Sequence, residues 1–333
     1  MREGRRRSGP AVMGRLIGLV KPLLPLMCLA ILLGVAGYLC AIFLTILAGQ
    51  ALFRGLMEMM GISLMPGMTG GFASMGFTSL FFLLILLAVL RGVLHYGEQY
   101  CNHFIAFKLL AVIRHKVFAA LRRLCPAKLE GRDKGNLIAV LTSDIELLEV
   151  FYAHTISPIV IAVLTSGIMI LYIGRNSAAA GILALAGYLA VGAAVPLLVG
   201  RAGGQEGLWM RNSFGDLNSF ILDSLRGLDE TIQYRGGAKR LQEMEERSRR
   251  LGKMQRKLNR LEASQRSVTN LLILLFSFAM LILMLYFYRK GGVDYRQMLT
   301  AVIAMMGSFG PVVALSNLLL NGVSGIAVGM ATN

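Results

Sequence analysis

Six stretches of the chain are apolar for long enough to cross a bilayer, and polar or basic segments separate them. They run about 22–53, 79–103, 136–173, 178–199, 268–288 and 298–320. Each meets or exceeds the roughly 20 residues a helix needs to span ~30 Å of hydrocarbon. Pro22 and Pro25 stand at the start of the first run, where a helix tolerates proline, and Pro311 predicts a kink in the sixth. The pattern predicts an all-α polytopic membrane protein with six transmembrane helices.

The second run does not stop where the bilayer would. Its apolar part, Leu80 to Leu90, leads through the polar patch Arg91, His95, Glu98, Gln99, Asn102 and His103 into a basic segment, Lys108 to Arg123, which breaks at Pro126. A continuous helix over 79–124 would measure about 69 Å at 1.5 Å per residue, roughly twice the hydrocarbon thickness. The segment between Arg201 and Arg266 is likewise charged and helical in pattern, with interruptions at Gly227 and Gly236-Gly237. Two long hairpins therefore project into the cytoplasm, with tips near 125–135 and 225–237. By contrast, the turn Gly174 to Ser177 is so short that spans three and four must be antiparallel neighbours.

Composition strengthens this reading. A mean hydropathy of +0.64 with 56% hydrophobic residues is too apolar for a soluble domain. The net charge of +16 raises nucleic acid as a partner, but its distribution argues against one. Of 34 Lys and Arg residues, 6 precede the first span, 8 lie between Lys108 and Lys134, and 14 between Arg201 and Arg266. Only Arg54, Arg175, Arg289, Lys290 and Arg296 are left for the opposite face. Five against twenty-eight predicts both termini inside. Residues 1–21 read as a retained basic lead-in rather than a cleaved signal.

Candidate chemistry is concentrated in the polar patch. Ionisable groups at membrane depth need a partner or a water-filled path. Arg91, His95, Glu98 and Asn102 fall at i, i+4, i+7 and i+11, one stripe of a helix, with His95, Gln99 and His103 spaced by four beside it. Either Arg91 pairs with Glu98, with His95 between them, or the stripe lines a cavity for a polar or anionic substrate. Asn317 and Asn321 could face the same cavity or hydrogen-bond between helices. The methionines of 54–78 (Met57, Met59, Met60, Met65, Met68, Met75) allow a copper(I) cluster or, more simply, a flexible outer loop. Cys28, Cys40, Cys101 and Cys125 lack the spacing of a disulfide framework or a zinc site.

Several of these features together resemble a known family. Arg91-x4-Tyr96-x-Glu98, Asn102-His103, the basic helix, the Pro126-to-Glu130 tip, Gly135-Asn136-Leu137-x6-Asp144 and the Ile-Ser-Pro ending at Pro158 look like the span-two to span-three region of ABC exporters. The similarity is greatest to the CydC half of the cytochrome bd assembly exporter, and 308–331 resembles that family's sixth span. The resemblance implies a type 1 exporter transmembrane domain over 22–333, in a bacterial cytoplasmic membrane. It would pair with a CydD-like half-transporter or a second copy and export cysteine, glutathione or haem-related cargo. Coupling to ATPase domains would fall to Pro126, Ala127, Lys128, Leu129 and Glu130 at one tip and to Leu228, Asp229 and Glu230 at the other. His103 matches the position of a histidine associated with haem in that family, which implies haem b as a ligand.

Two departures qualify the resemblance. Gln99 stands where the family often has a basic residue that could meet a haem propionate. The sequence also holds no G-x4-G-K-[ST] loop and no LSGGQ-like run, so ATP and magnesium would bind only on nucleotide-binding domains supplied by another chain or by a longer product. No catalytic residue is assigned in these 333 positions. The alternatives are a multidrug, peptide or lipid exporter with the same fold, or a haem-binding assembly factor that works without ATP.

Overall fold

The computed structural model describes residues 23–61, 76–124 and 156–317, apart from the side chains at 200–205, 208 and 211. Among these residues all regular structure is helical, and six helices are long and apolar enough to cross a membrane. The protein is an all-α, multi-pass membrane protein. The tip 125–135, the beginning of span three at Asn136, and Asn321 lie outside the described residues.

Helix α1 (Leu24–Met59) carries Pro25 in its first turn, where a missing N–H breaks no helical bond. Helix α2 (Phe77–Leu124) is unbroken over 48 residues, about 72 Å. Helix α3 (Ser157–Gly174) also starts with proline in its first turn and meets α4 (Ala178–Leu189) through the tight turn at 175–177. A five-residue π segment, Ala190–Ala194, joins α4 to α5 (Val195–Arg226). After the short α6 (Leu228–Gln233), α7 (Gly237–Arg289) runs for 53 residues, about 80 Å. Asp294 and Gln297 form a capping box that starts α8 (Tyr295–Gly307), and a last helical stretch covers 310–317.

The described residues form two compact units. One comprises those up to Ala193 together with those from Leu271 onward; the other comprises 194–270. In the first unit, small residues let helices approach closely. A β-carbon at Gly181 would lie 2.9 Å from Gly174 Cα and 3.3 Å from the Ile170 carbonyl oxygen, so α3 and α4 touch backbone to backbone. Ile42, Ile46, Met169, Met280, Met284 and Met305 fill the space between helices, and all are fully or almost fully buried. Gln50 Nε2 donates to Thr300 Oγ1 at 2.7 Å, tying α1 to α8.

The second unit is held differently. Phe220 of α5 is clasped by two guanidinium groups from α7, with Arg240 5.1 Å and Arg247 4.4 Å from its ring centre. Arg240 also donates to Ser224 Oγ at 3.3 Å, and Lys257 pairs with Glu206. Along α7, Glu243–Arg247, Glu245–Arg249, Glu246–Arg250 and Glu262–Arg266 are ion pairs at i,i+4. Hydrogen bonding to Arg250, helped by the charges of Arg250 and Arg249, holds the Glu246 carboxyl below the ordinary glutamate range. The turn from α6 to α7 closes as a Schellman motif, with Gly236 N donating to Thr231 O and Arg235 N to Ile232 O. Arg235 occupies its left-handed position at φ 51°, where glycine is usual.

Candidate functional site

Two glycines on α1 decide where the polar patch of α2 goes. Gly34 and Gly37 are buried, and Gly37 lies against Leu94 and the backbone of His95. A β-carbon at Gly34 would sit 3.2 Å from the Glu98 carboxyl carbon and 2.4 Å from Ile161 Cδ1 of α3. With hydrogens at both positions, α1 closes on α2 and seals Glu98 to 5% exposure and Asn102 to 4%. Arg91 and His95, on the same stripe, are exposed. Gln99 is half-buried, and His103 is exposed on another side of the helix.

The pairing inside the patch differs from the Arg91–Glu98 alternative. Glu98 Oε2 meets His95 Nδ1 at 3.2 Å, and the His95 side chain is otherwise 62% exposed. Three residues separate them on the helix, against seven for Arg91, so the shorter reach prevails. Arg91 and Glu98 both act electrostatically on Tyr38 of α1. Asn102 Oδ1 is buried with no hydrogen-bond partner.

His103 belongs to a different surface. Its ring stacks on Phe107 with centres 6.3 Å apart, and a separate ladder of Tyr96, Tyr100 and Phe104 has spacings of 6.4 and 6.5 Å. These aromatic side chains are exposed on α2, as is His103. An accessible imidazole beside flat apolar rings suits a haem face and an axial nitrogen ligand, so the residues fit the group. Asn317 is also exposed.

Sequence reasoning located Pro311 but not the extent of its effect. Helix α8 ends at Gly307, turns at Ser308 and Phe309 and resumes at 310, because proline cannot donate back to residue 307. Pro196 acts in the same way on residue 192, and the π segment Ala190–Ala194 takes up the misfit. The two defects meet. Gly187 lies against Phe309 and Gly192 against Val312, while Tyr188 Oη and Ser308 Oγ share a hydrogen bond of 2.5 Å. Two prolines, each four residues after a glycine, were the available signal.

At the second predicted coupling segment, Leu228, Asp229 and Glu230 sit on α6, where no residue is buried. Leu225, Leu228, Ile232 and Tyr234 expose 62%, 49%, 67% and 79% of their surfaces around it. Pro126, Ala127, Lys128, Leu129 and Glu130 fall outside the described residues.

Comparison with known proteins agrees with the six-span helical fold. Residues 26–312 match the family described as the ABC transporter transmembrane region. The chain is also similar to a Haemophilus influenzae protein named as a probable ABC transporter ATP-binding/permease protein, with 40% identity over 325 residues. The alignment covers 97% of this chain and 56% of that relative, so the chain spans a little over half the length of the curated protein it matches.

Proposed function

The chain belongs to the family of ABC transporter transmembrane regions, and from that premise we propose that it is the permease portion of an ATP-driven exporter of the CydC type. The carrying observation is the exposed apolar tip around α6, mounted between two helices of 32 and 53 residues. Isolated exposed leucines are ordinary, but Leu225, Leu228, Ile232 and Tyr234 cluster within ten residues of a charged hairpin and mark a docking surface. The relative's name pairs a permease with an ATP-binding function, which supports nucleotide-binding domains as the occupant. The engine comes from the same longer product or from another chain. A CydD-like half or a second copy completes the pathway, in a bacterial cytoplasmic membrane with both termini inside.

The cargo we propose is a small thiol, cysteine or glutathione, or a haem-related molecule. Arg91, His95 and Asn317 are exposed and Gln99 is half-buried, leaving them open to a polar or anionic group, whereas Glu98 and Asn102 are closed off by α1 in this conformation. Inverted vesicles carrying the transporter with its ATPase domains should accumulate labelled cysteine or glutathione only when ATP is present. If ATP drives uptake of drugs, peptides or lipids and not of thiols, the cargo assignment is wrong and the transporter assignment stands.

A second reading, haem binding at His103, is favoured by the exposed imidazole and the Phe107 ring beside it. Haem bound there would be held by the His103 imidazole, with Phe107 beside it. His103→Ala should abolish the Soret band of haem-loaded protein, and an unchanged band would remove His103 from the site. Haem retained without any ATP-driven transport would instead favour an assembly factor.

A further inference from the structure

A carboxylate inside a transmembrane bundle is stable only if it is paired or neutralised. Glu98 is packed so closely against Gly34 that not even a β-carbon fits between them without strain, so this flank has no space for a hydrated cation. Its one hydrogen-bonded acid–base partner among the described residues is His95, whose Nδ1 lies 3.2 Å from Oε2. Most of the His95 ring remains accessible. One helical turn beyond Glu98, Asn102 is 4% exposed and its Oδ1 is a buried acceptor with no donor. The i,i+4 spacing puts Glu98 and Asn102 on one face, within side-chain reach. An ionised Glu98 can only accept hydrogen bonds and leaves Asn102 Oδ1 unsatisfied. A protonated Glu98 gains the donor that Asn102 lacks.

We propose that Glu98 is a proton-binding site within the transmembrane bundle, loaded through His95 and stabilised in its loaded form by Asn102. His95 takes up a proton from solvent on the accessible part of its ring, becoming imidazolium, then passes its Nδ1 proton to Oε2 of Glu98 and is left as neutral imidazole, for a net uptake of one proton. The neutral carboxyl then donates to Asn102 Oδ1. Tyr38 of α1 lies within electrostatic reach of both Glu98 and Arg91, and α3 presents Ile161 to Gly34 beside the carboxyl. Because α2 presents Glu98 and α3 presents Ile161 to Gly34 of α1, loading and unloading alter the junction of three spans. The proposal rests on α2 spanning the membrane and is independent of the cargo.

Infrared difference spectra of the purified transporter in lipid nanodiscs, recorded across about pH 5 to 9, read the carboxylic-acid C=O stretch directly. The expected result is a band that grows on acidification and is lost in Glu98→Gln, which keeps the shape and supplies a permanent N–H donor to Asn102. In Asn102→Leu the band persists with its midpoint moved about one unit to lower pH, because the neutral form has lost its acceptor. A band that survives Glu98→Gln, or no band in the unsubstituted protein, overturns the assignment. If Glu98→Gln does not fold, an unshifted midpoint in Asn102→Leu overturns it equally.

Discussion

The two units hold glycines that do opposite things. At Gly181 in the helical bundle, a single β-carbon would press into the backbone of the neighbouring helix. At Gly215 and Gly252 in the charged hairpin, the same atom would meet nothing within 4 Å. The bundle is a close-packed solid in which hydrogens at Gly34, Gly181 and Gly187 set the distances between helices, as expected where lipid removes the hydrophobic drive for association. The hairpin is held by exposed ion pairs and by an aromatic ring between two arginines, contacts that tolerate local change.

The largest effect that would break this contrast comes from Gly181→Ala. Forcing α3 from α4 should cost about 3 kcal/mol, read as a large loss of monodisperse protein on detergent size exclusion. An alanine tolerated there without loss would mean that the bundle is looser than described. Next, Tyr188→Phe removes the hydrogen bond to Ser308 across the paired helix defects and should cost about 1 kcal/mol in thermal unfolding. Phe220→Leu keeps most of the apolar volume and discards both cation–π contacts. It should also cost about 1 kcal/mol, seen as faster proteolysis within 194–270 rather than in the spans.

Smaller changes sharpen the comparison from the other side. Gly252→Ala should stabilise the hairpin by about 0.8 kcal/mol, since it gains helix propensity and meets no neighbour. Acidification should loosen the hairpin slightly. Glu246 is held in its ionised form by Arg250, so that contribution is present at neutral pH and disappears as pH falls through its lowered folded value. Protease sensitivity of 237–270 should therefore rise in acid, and Glu246→Gln should flatten the rise.

The spans were legible because lipid demands long apolar runs, and the reach of α2 beyond the membrane followed from helical pattern continuing past His103 without a breaker until Pro126. The burial of Glu98 was not legible. Its helical phase matched that of Arg91, and only the approach of α1 at Gly34 separates a sealed carboxylate from an exposed guanidinium. Nor did composition show that Pro196 and Pro311 act as a matched pair, because a proline marks a defect without naming what packs against it. Arg235 in a left-handed turn had no sequence signal beyond the glycine that follows it.

The account depends most on α6 being the place where an ATPase domain grips this chain. Asp229→Cys, in a background without the native cysteines, places a thiol at that tip for cross-linking in membranes that contain the complete transporter. A cross-link to the nucleotide-binding domain whose yield changes between ATP-bound and ATP-free states is the predicted result. The absence of any cross-link, with ATP-driven transport intact, would contradict it.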